Sequence, residues 1–352
     1  MLKMVSRSEL SPKKQNITRL IAVAVALLFA AVVMIFMKFN PISVYSQLIE
    51  GSLSTDIAFK NTVSKAIPLI ILSLGVSVAF KMKFWNIGAE GQFYMGAYGA
   101  TVVAFAFPNL SPIILLPLMF ISAFIFGGLW ALIAAVLKAK FSTSETLVTL
   151  MLNYVAINWI LYLENGPLGN ESKRIPSYSE NGILPKLGGI NIGWVIALIL
   201  IVLVYILLSK TKLGYEVSVL GESEATARYA GMNVTKITVL AITISGGICG
   251  LAGVIQASAE TNSALSSQLS CGLGFTAVIT TWLARLSAPA ILIVSFLFSM
   301  LIQGSATLQI ELGMSKYTAE IIQGIIIFFV LASEFFVQYK IVRTSKKTKE
   351  AK

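Results

Sequence analysis

Lys81 to Ala100 reads KMKFWNIGAEGQFYMGAYGA, which sets amide, carboxyl and glycine inside a stretch that is otherwise hydrocarbon. A carboxylate at the centre of a bilayer-spanning helix costs roughly 2.5 to 3.5 kcal/mol on insertion scales, so Glu90 must lie near an end, face protein or line a polar cavity. Asn86, Glu90 and Gln92 are therefore candidates to line a polar path. Gly88, Gly91, Gly96 and Gly99 either let the backbone leave helical geometry or let a neighbouring helix come close. The competing reading is structural: Asn86 and Glu90 cap the cytoplasmic start of a span, where acid is favoured at the positive end of the helix dipole. Four further polar side chains on or near apolar runs, Asn153, Asn158, Gln256 and Gln303, complete the candidate path. For each amide the alternative is an interhelical hydrogen bond worth about 0.6 kcal/mol on average. Glu260 and Glu311, near outer span ends, and Arg285, at an inner turn before Pro289, are explained by solvation.

A second stretch with chemistry of its own is KTKLGYEVSVLGESEATARYAGMNVTK, the longest internal polar connection. Within it Glu222 and Glu224 lead, Arg228 follows, and Gly231 can end a short helix in a left-handed conformation. An ordinary amphipathic connector and a surface that receives force from another protein both fit such a helix.

Other chemistry is excluded. The chain has no histidine, which removes His-dependent triads, HExxH zinc sites and the commonest general base. Cys249 and Cys271 form no CxxC pair and read as packed thiols. No G-x-x-x-x-G-K-[ST] phosphate loop occurs, so transport driven by ATP would need the nucleotide hydrolysed on another polypeptide.

These residues must be positioned by membrane helices. The 352 residues are 56% hydrophobic and only 12% charged, a poor composition for a soluble globule. About 20 apolar residues cross a bilayer core. Cutting at charges and polar clusters gives spans at 20–37, 63–80, 90–107, 112–137, 146–163, 192–209, 237–257, 271–285, 288–303 and 318–339. The expected fold is all-α and polytopic, with about ten transmembrane helices. The run 20–37 has no small-x-small cleavage pattern after it and reads as a retained first span.

The net charge of +11 reads as topology rather than nucleic-acid binding. With the amino terminus inside, 20 of the 27 Lys and Arg fall on the cytoplasmic side, and an even span count puts both termini there. The organisation expected is a cytoplasmic segment 1–19, a membrane domain 20–339 with the cytoplasmic loop 210–236, and a basic tail 340–352 near anionic lipid headgroups. The outer loops 38–62 and 164–191 read as solvated surface, with an external partner as one use for them.

FWNIGAEGQFYMGAYGA, GESEATARYAGMNVTKI and the block GLGFTAVITTWLARLSAPAILIVSFLFSMLIQG from Gly272 together resemble the permease subunits of ABC importers in the branched-chain amino acid, simple sugar and nucleoside group. The NIGAEGQ form and the length are most similar to the longer permease of nucleoside importers. The resemblance implies two related halves and a multi-pass protein of the bacterial inner membrane. It also implies a second homologous permease, a cytoplasmic ATPase that binds ATP and Mg, and an external substrate-binding lipoprotein. This chain itself would hold no cofactor and catalyse no reaction. Gly221, Glu222, Ala225, Arg228, Ala230 and Gly231 match the helix that couples to the ATPase, and Asn86, Gly88, Glu90, Gly91 and Gln92 match the motif beside the path. Thr280, Thr281 and bulky Trp282 depart from the small residues usual in the third block.

The mechanism expected is alternating access, with a weakly polar path suited to a neutral nucleoside. Simple sugars and branched-chain amino acids are alternative solutes. The rival class is a secondary transporter in which Glu90 or Glu145 carries the coupling ion.

Overall fold

A computed structural model describes residues 2–6, 12–259 and 264–343. Within them the chain is helical almost throughout. Pro12–Phe36 (α1), Pro41–Leu53 (α2), Asp56–Lys81 (α3), Ala89–Ala106 (α4), Pro112–Phe141 (α5) and Glu145–Asn165 (α6) come first. Gly193–Lys210 (α7), Lys212–Glu222 (α8), Glu224–Tyr229 (α9), Val234–Ala257 (α10), Leu273–Leu283 (α11), Ala288–Glu311 (α12) and Lys316–Gln338 (α13) follow. Two short antiparallel pairs add Leu2–Ser6 (β1) to Tyr339–Arg343 (β4), and Lys186–Leu187 (β2) to Ile190–Asn191 (β3). The chain is an all-α polytopic membrane protein.

Each of the ten apolar stretches in the sequence lies on a helix, but length separates them. Among the described residues six helices, α3, α5, α6, α7, α10 and α12, are long and apolar enough to cross a bilayer, or up to seven if the bent α1–α2 pair counts as one span. At 11 residues α11 reaches only about 16 Å against a hydrocarbon core of about 30 Å. Glu260 and the tail beyond Arg343 lie outside the described residues, as do Met1 and residues 7–11 of the amino-terminal segment.

The chain folds as two compact units, residues 59–299 and residues 1–58 with 300–352. In the second of these, Ala30, Met34, Val44, Leu48, Leu308 and Ile322 form an apolar core. The region 38–62, expected as solvated loop, instead holds α2 and the start of α3. Asn40 accepts from Ile42 N–H at 3.0 Å and Pro41 opens α2, a pairing of N-cap and proline that starts a helix. The chain turns by 117° between α1 and α2, where Lys38 takes a left-handed φ of 65°.

The larger unit is built on α4, α5 and α10. No hydrophobic force drives apolar helices together within lipid, so close backbone contact must do so. Gly96 of α4 faces Gly250 of α10 so closely that a methyl group at Gly96 would collide with the Gly250 backbone. The outer faces of α5, α6 and α7 expose aliphatic residues such as Ile121, Met151 and Val202, as lipid contact requires.

The loop 166–192 is structured. The β2–β3 hairpin turns on Gly188 and Gly189, both at positive φ. Ile175, Tyr178 and Leu184 of the loop are buried. Tyr178 and Thr101 share a hydroxyl hydrogen bond of 2.7 Å, and burial pushes the Tyr178 phenol above its ordinary pKa.

Candidate functional site: an unwound polar segment and the loop 210–236

Between α3 and α4 the backbone leaves helical geometry over residues 82–88. Unwound backbone at membrane depth survives only where protein or a water-filled cavity satisfies it. Here side chains do so. Asn86 and Gln92, both buried, clasp each other: Asn86 Nδ2 donates to Gln92 Oε1 at 3.1 Å, and Gln92 Nε2 donates to Asn86 Oδ1 at 3.0 Å. Asn86 Oδ1 also accepts from Gly88 N–H, and Nδ2 reaches Ser245 Oγ on α10, whose hydroxyl donates to the Gly75 carbonyl of α3. From α6, Asn153 donates to the Ile87 carbonyl and accepts from Gly91 N–H, both at 2.8 Å. Thr149, one turn before it, accepts from Ile87 N–H at 3.2 Å.

Glu90 is 2% exposed and serves a different helix. Its Oε2 accepts from Gly274 N–H at 2.7 Å, in the first turn of α11. The first amides of a helix have no partner within it and carry the positive end of its dipole. Glu90 thus caps α11 from across the bundle. The segment leading into α11 is held on the same principle: Tyr94 OH donates to the Ser267 carbonyl at 2.7 Å, Ser270 N–H donates to Tyr94 OH, and Glu164 accepts from Ser267 N–H at 3.1 Å. Deeper, Thr281 Oγ1 donates to the Ser73 carbonyl at 3.0 Å and ties α11 to α3.

The structure therefore brings Asn86, Glu90, Gln92 and Asn153 together, with their polar atoms engaged by protein. As a cap Glu90 serves α11 rather than the start of its own helix. Asn158 is placed apart, exposed on α6 with its amide donating to the Tyr154 carbonyl of the same helix. Gln256 is half-buried on α10, and half-buried Gln303 belongs to the other unit. Sequence reasoning missed Thr149, Ser245, Tyr94 and Glu164. Only Thr149 left a signal, its i, i+4 spacing from Asn153 on α6.

The second constellation is the loop 210–236. Thr211 and Ser223 cap α8 and α9, Ser223 Oγ accepting from Thr226 N–H at 3.2 Å. Gly231 closes α9 with φ 74°, and the bonds Gly231 N–H to Arg228 O and Met232 N–H to Ala227 O complete its C-cap. Ala227 alone in α9 is buried, while Tyr229 is 97% exposed. Glu222, Ala225, Arg228, Ala230 and Gly231 face outward, whereas Gly221 is buried where a side chain would strike the Lys81 carbonyl at the end of α3. The Arg228 guanidinium pairs with Glu224 at 2.7 Å, both exposed. A cleft of about 420 Å³ lies between this loop, the turn at Met82–Phe84 and the α5–α6 corner. At that corner Lys138 pairs with Glu145 at 2.8 Å.

Among the described residues no group of His, Cys, Asp and Glu could hold a metal ion. What the arrangement provides is a broken helix fastened by side chains, beside an outward-facing short helix joined to α3. A model of the family "Branched-chain amino acid transport system / permease component" matches residues 58–331, and the chain belongs to that family of ABC importer permeases. It is 30% identical to the glucose ABC transporter permease protein TsgB13 of Haloferax volcanii, over 92% of this chain and 89% of that one. It is 28% identical to the nucleoside ABC transporter permease protein NupB of Lactococcus lactis, over 94% and 96%. It is 30% identical to the guanosine ABC transporter permease protein NupP of Bacillus subtilis, over 93% and 96%.

Proposed function

We propose that this permease carries nucleosides inward, as one of two permeases in an ATP-driven importer. The observation that carries this reading is similarity to a nucleoside and a guanosine permease over more than nine tenths of both chains. A neutral nucleoside suits a path of amides and aromatic rings, and weak binding along it favours release. ATP and Mg bind the partner ATPase, an external lipoprotein delivers the solute, and an even number of crossings leaves both termini in the cytoplasm of a bacterium.

In this reading α9 is the element the ATPase moves. Glu222, Ala225, Arg228, Ala230 and Gly231 meet the ATPase, and Gly221 passes the displacement to α3 because the two backbones touch. Asn86, Glu90, Gln92 and Asn153 act on the path by fixing the helices around it, while Asn158, Gln256 and Gln303 are proposed as lining. Glucose is a second reading, favoured by the relative of that name. Uptake of radiolabelled guanosine, uridine and glucose by the assembled complex in proteoliposomes decides between them. ATP-dependent accumulation of nucleosides is expected, and accumulation of glucose alone would overturn the proposal. Uptake that follows an ion gradient without the ATPase would favour an ion-coupled carrier instead.

A further inference from the structure

At mid-membrane depth α6 carries polar groups on its exposed side. The helix has 21 residues and reaches about 31 Å, enough to cross a hydrocarbon core of about 30 Å. Its side toward the bundle holds Thr149, Asn153, Ala156 and Ile160, and Asn153 fastens the unwound segment through Ile87 and Gly91. On the opposite side Tyr154 and Asn158 stand one turn apart near the helix midpoint, both exposed. Asn158 gives one N–H to the Tyr154 carbonyl at 2.8 Å. Among the described residues nothing bonds its Oδ1 or the Tyr154 hydroxyl, and no ring packs on Tyr154. Exposed rings elsewhere lean on one another, as Trp282 stacks on Trp85 with centroids 5.2 Å apart.

Lipid is a poor cover for this face. Midway along α5 and α7 the exposed side chains include Ile125, Leu129, Ile199 and Val202, the aliphatic surface that lipid accepts. A carboxamide and a phenol with hydrogen bonds unmade are costly there, and both lie roughly 10 Å or more from either end of the helix. A second helix is a poor cover too. Helices that meet within lipid do so through small residues, as Gly96 and Gly250 do between α4 and α10. The exposed face of α6 instead presents Leu147, Met151, Tyr154, Val155, Asn158 and Tyr162. Water meets the polar groups and tolerates the bulk.

We propose that this face of α6 is a wall of the water-filled path, and that the Asn158 carboxamide hydrogen-bonds the base of a passing nucleoside, with Tyr154 as the second contact one turn away. This rests on the nucleoside reading above. A carboxamide donates and accepts at once, which matches the donor and acceptor that a base pairs on its Watson–Crick edge. Purines and pyrimidines both offer that edge, so the contact holds a base without choosing among bases.

The test uses the complete transporter in proteoliposomes. In a Cys271→Ser background, since Cys271 is exposed and Cys249 buried, Tyr154→Cys and Asn158→Cys are each treated with a charged thiol reagent that reacts in water and not in hydrocarbon. Val202→Cys on α7 is the lipid-facing comparison. The thiols at 154 and 158 are expected to react and the thiol at 202 not to, with saturating guanosine slowing the reaction at 158. Asn158→Leu, which lipid or a packed interface would accept, is expected to leave the amount of folded complex unchanged and to lower guanosine and uridine uptake on the order of tenfold. Unreactive thiols at 154 and 158 would set this face against lipid or a second permease and overturn the proposal. A wild-type complex that takes up neither nucleoside overturns the proposed function and the base contact with it, whereas nucleoside uptake that Asn158→Leu leaves intact overturns the contact alone.

Discussion

Glu90 accepts a hydrogen bond from Gly274 N–H in the first turn of α11, so its carboxyl acts on a residue 184 positions further along the chain. Glutamine keeps the length and one acceptor but loses the charge that suits the dipole, an effect of up to about 2 kcal/mol when partly buried. Glu90→Gln is expected to leave most of the protein folded in the membrane while uptake falls on the order of tenfold. Uptake normalised to folded protein measures this, and equal losses of both would confine Glu90 to holding the fold. Asn153→Ala should behave differently. It strips partners from the buried Gly91 N–H and Ile87 carbonyl, at a cost of about 1 to 3 kcal/mol for each group left unsatisfied. Thermal unfolding of the purified permease should show that loss whether or not solute is present. At this scale the sequence revealed that Asn86, Glu90 and Gln92 were out of place in hydrocarbon, because polar groups in lipid are costly. It did not reveal that Asn86 and Gln92 clasp each other, nor that Ser245 of α10 partners Asn86 and Gly274 of α11 partners Glu90.

At the scale of the element, α9 was legible because its signals are local. A capping serine, leading acids and a closing glycine all act within a turn or two of themselves. Gly231→Leu must adopt a left-handed backbone that costs roughly 1 to 2 kcal/mol, although the space around it is open. Arg228→Glu removes an exposed i, i+4 pair worth only about 0.3 to 0.5 kcal/mol. Neither should abolish folding. Both are expected to leave membrane insertion intact and to uncouple ATP hydrolysis from uptake in the assembled complex. The ratio of solute moved to ATP hydrolysed checks this, and an unchanged ratio in both variants would remove α9 from the coupling path. By contrast α2 was read as loop, since polar residues such as Ser46 and Glu50 masked a helix that buries Val44 and Leu48. α11 was read as a full span because hydropathy registers an apolar run and not where its helix begins.

At the scale of the whole molecule, the chain belongs to a family of ABC importer permeases, and the proposed function has the driving force arrive from a partner ATPase. Purified alone in vesicles, the permease is expected to move no solute uphill under any ion gradient. Accumulation by the lone subunit, measured with labelled nucleoside and imposed proton or sodium gradients, would contradict that expectation. The sequence by itself determined that this is a helical membrane protein, which segments are apolar and where the short helix α9 lies. Hydrophobic length, charge placement and helix caps are properties of neighbouring residues, and a single chain displays them. Only the tertiary structure decided that Glu90 caps α11, that Asn86 and Gln92 clasp each other across an unwound turn, and that Trp85 and Trp282 stack. The physical reason is that a buried polar or aromatic group takes its meaning from what surrounds it in space, and for Glu90 and Trp85 those surroundings come from a helix more than a hundred residues away, while the Asn86–Gln92 contact depends on where the helix unwinds.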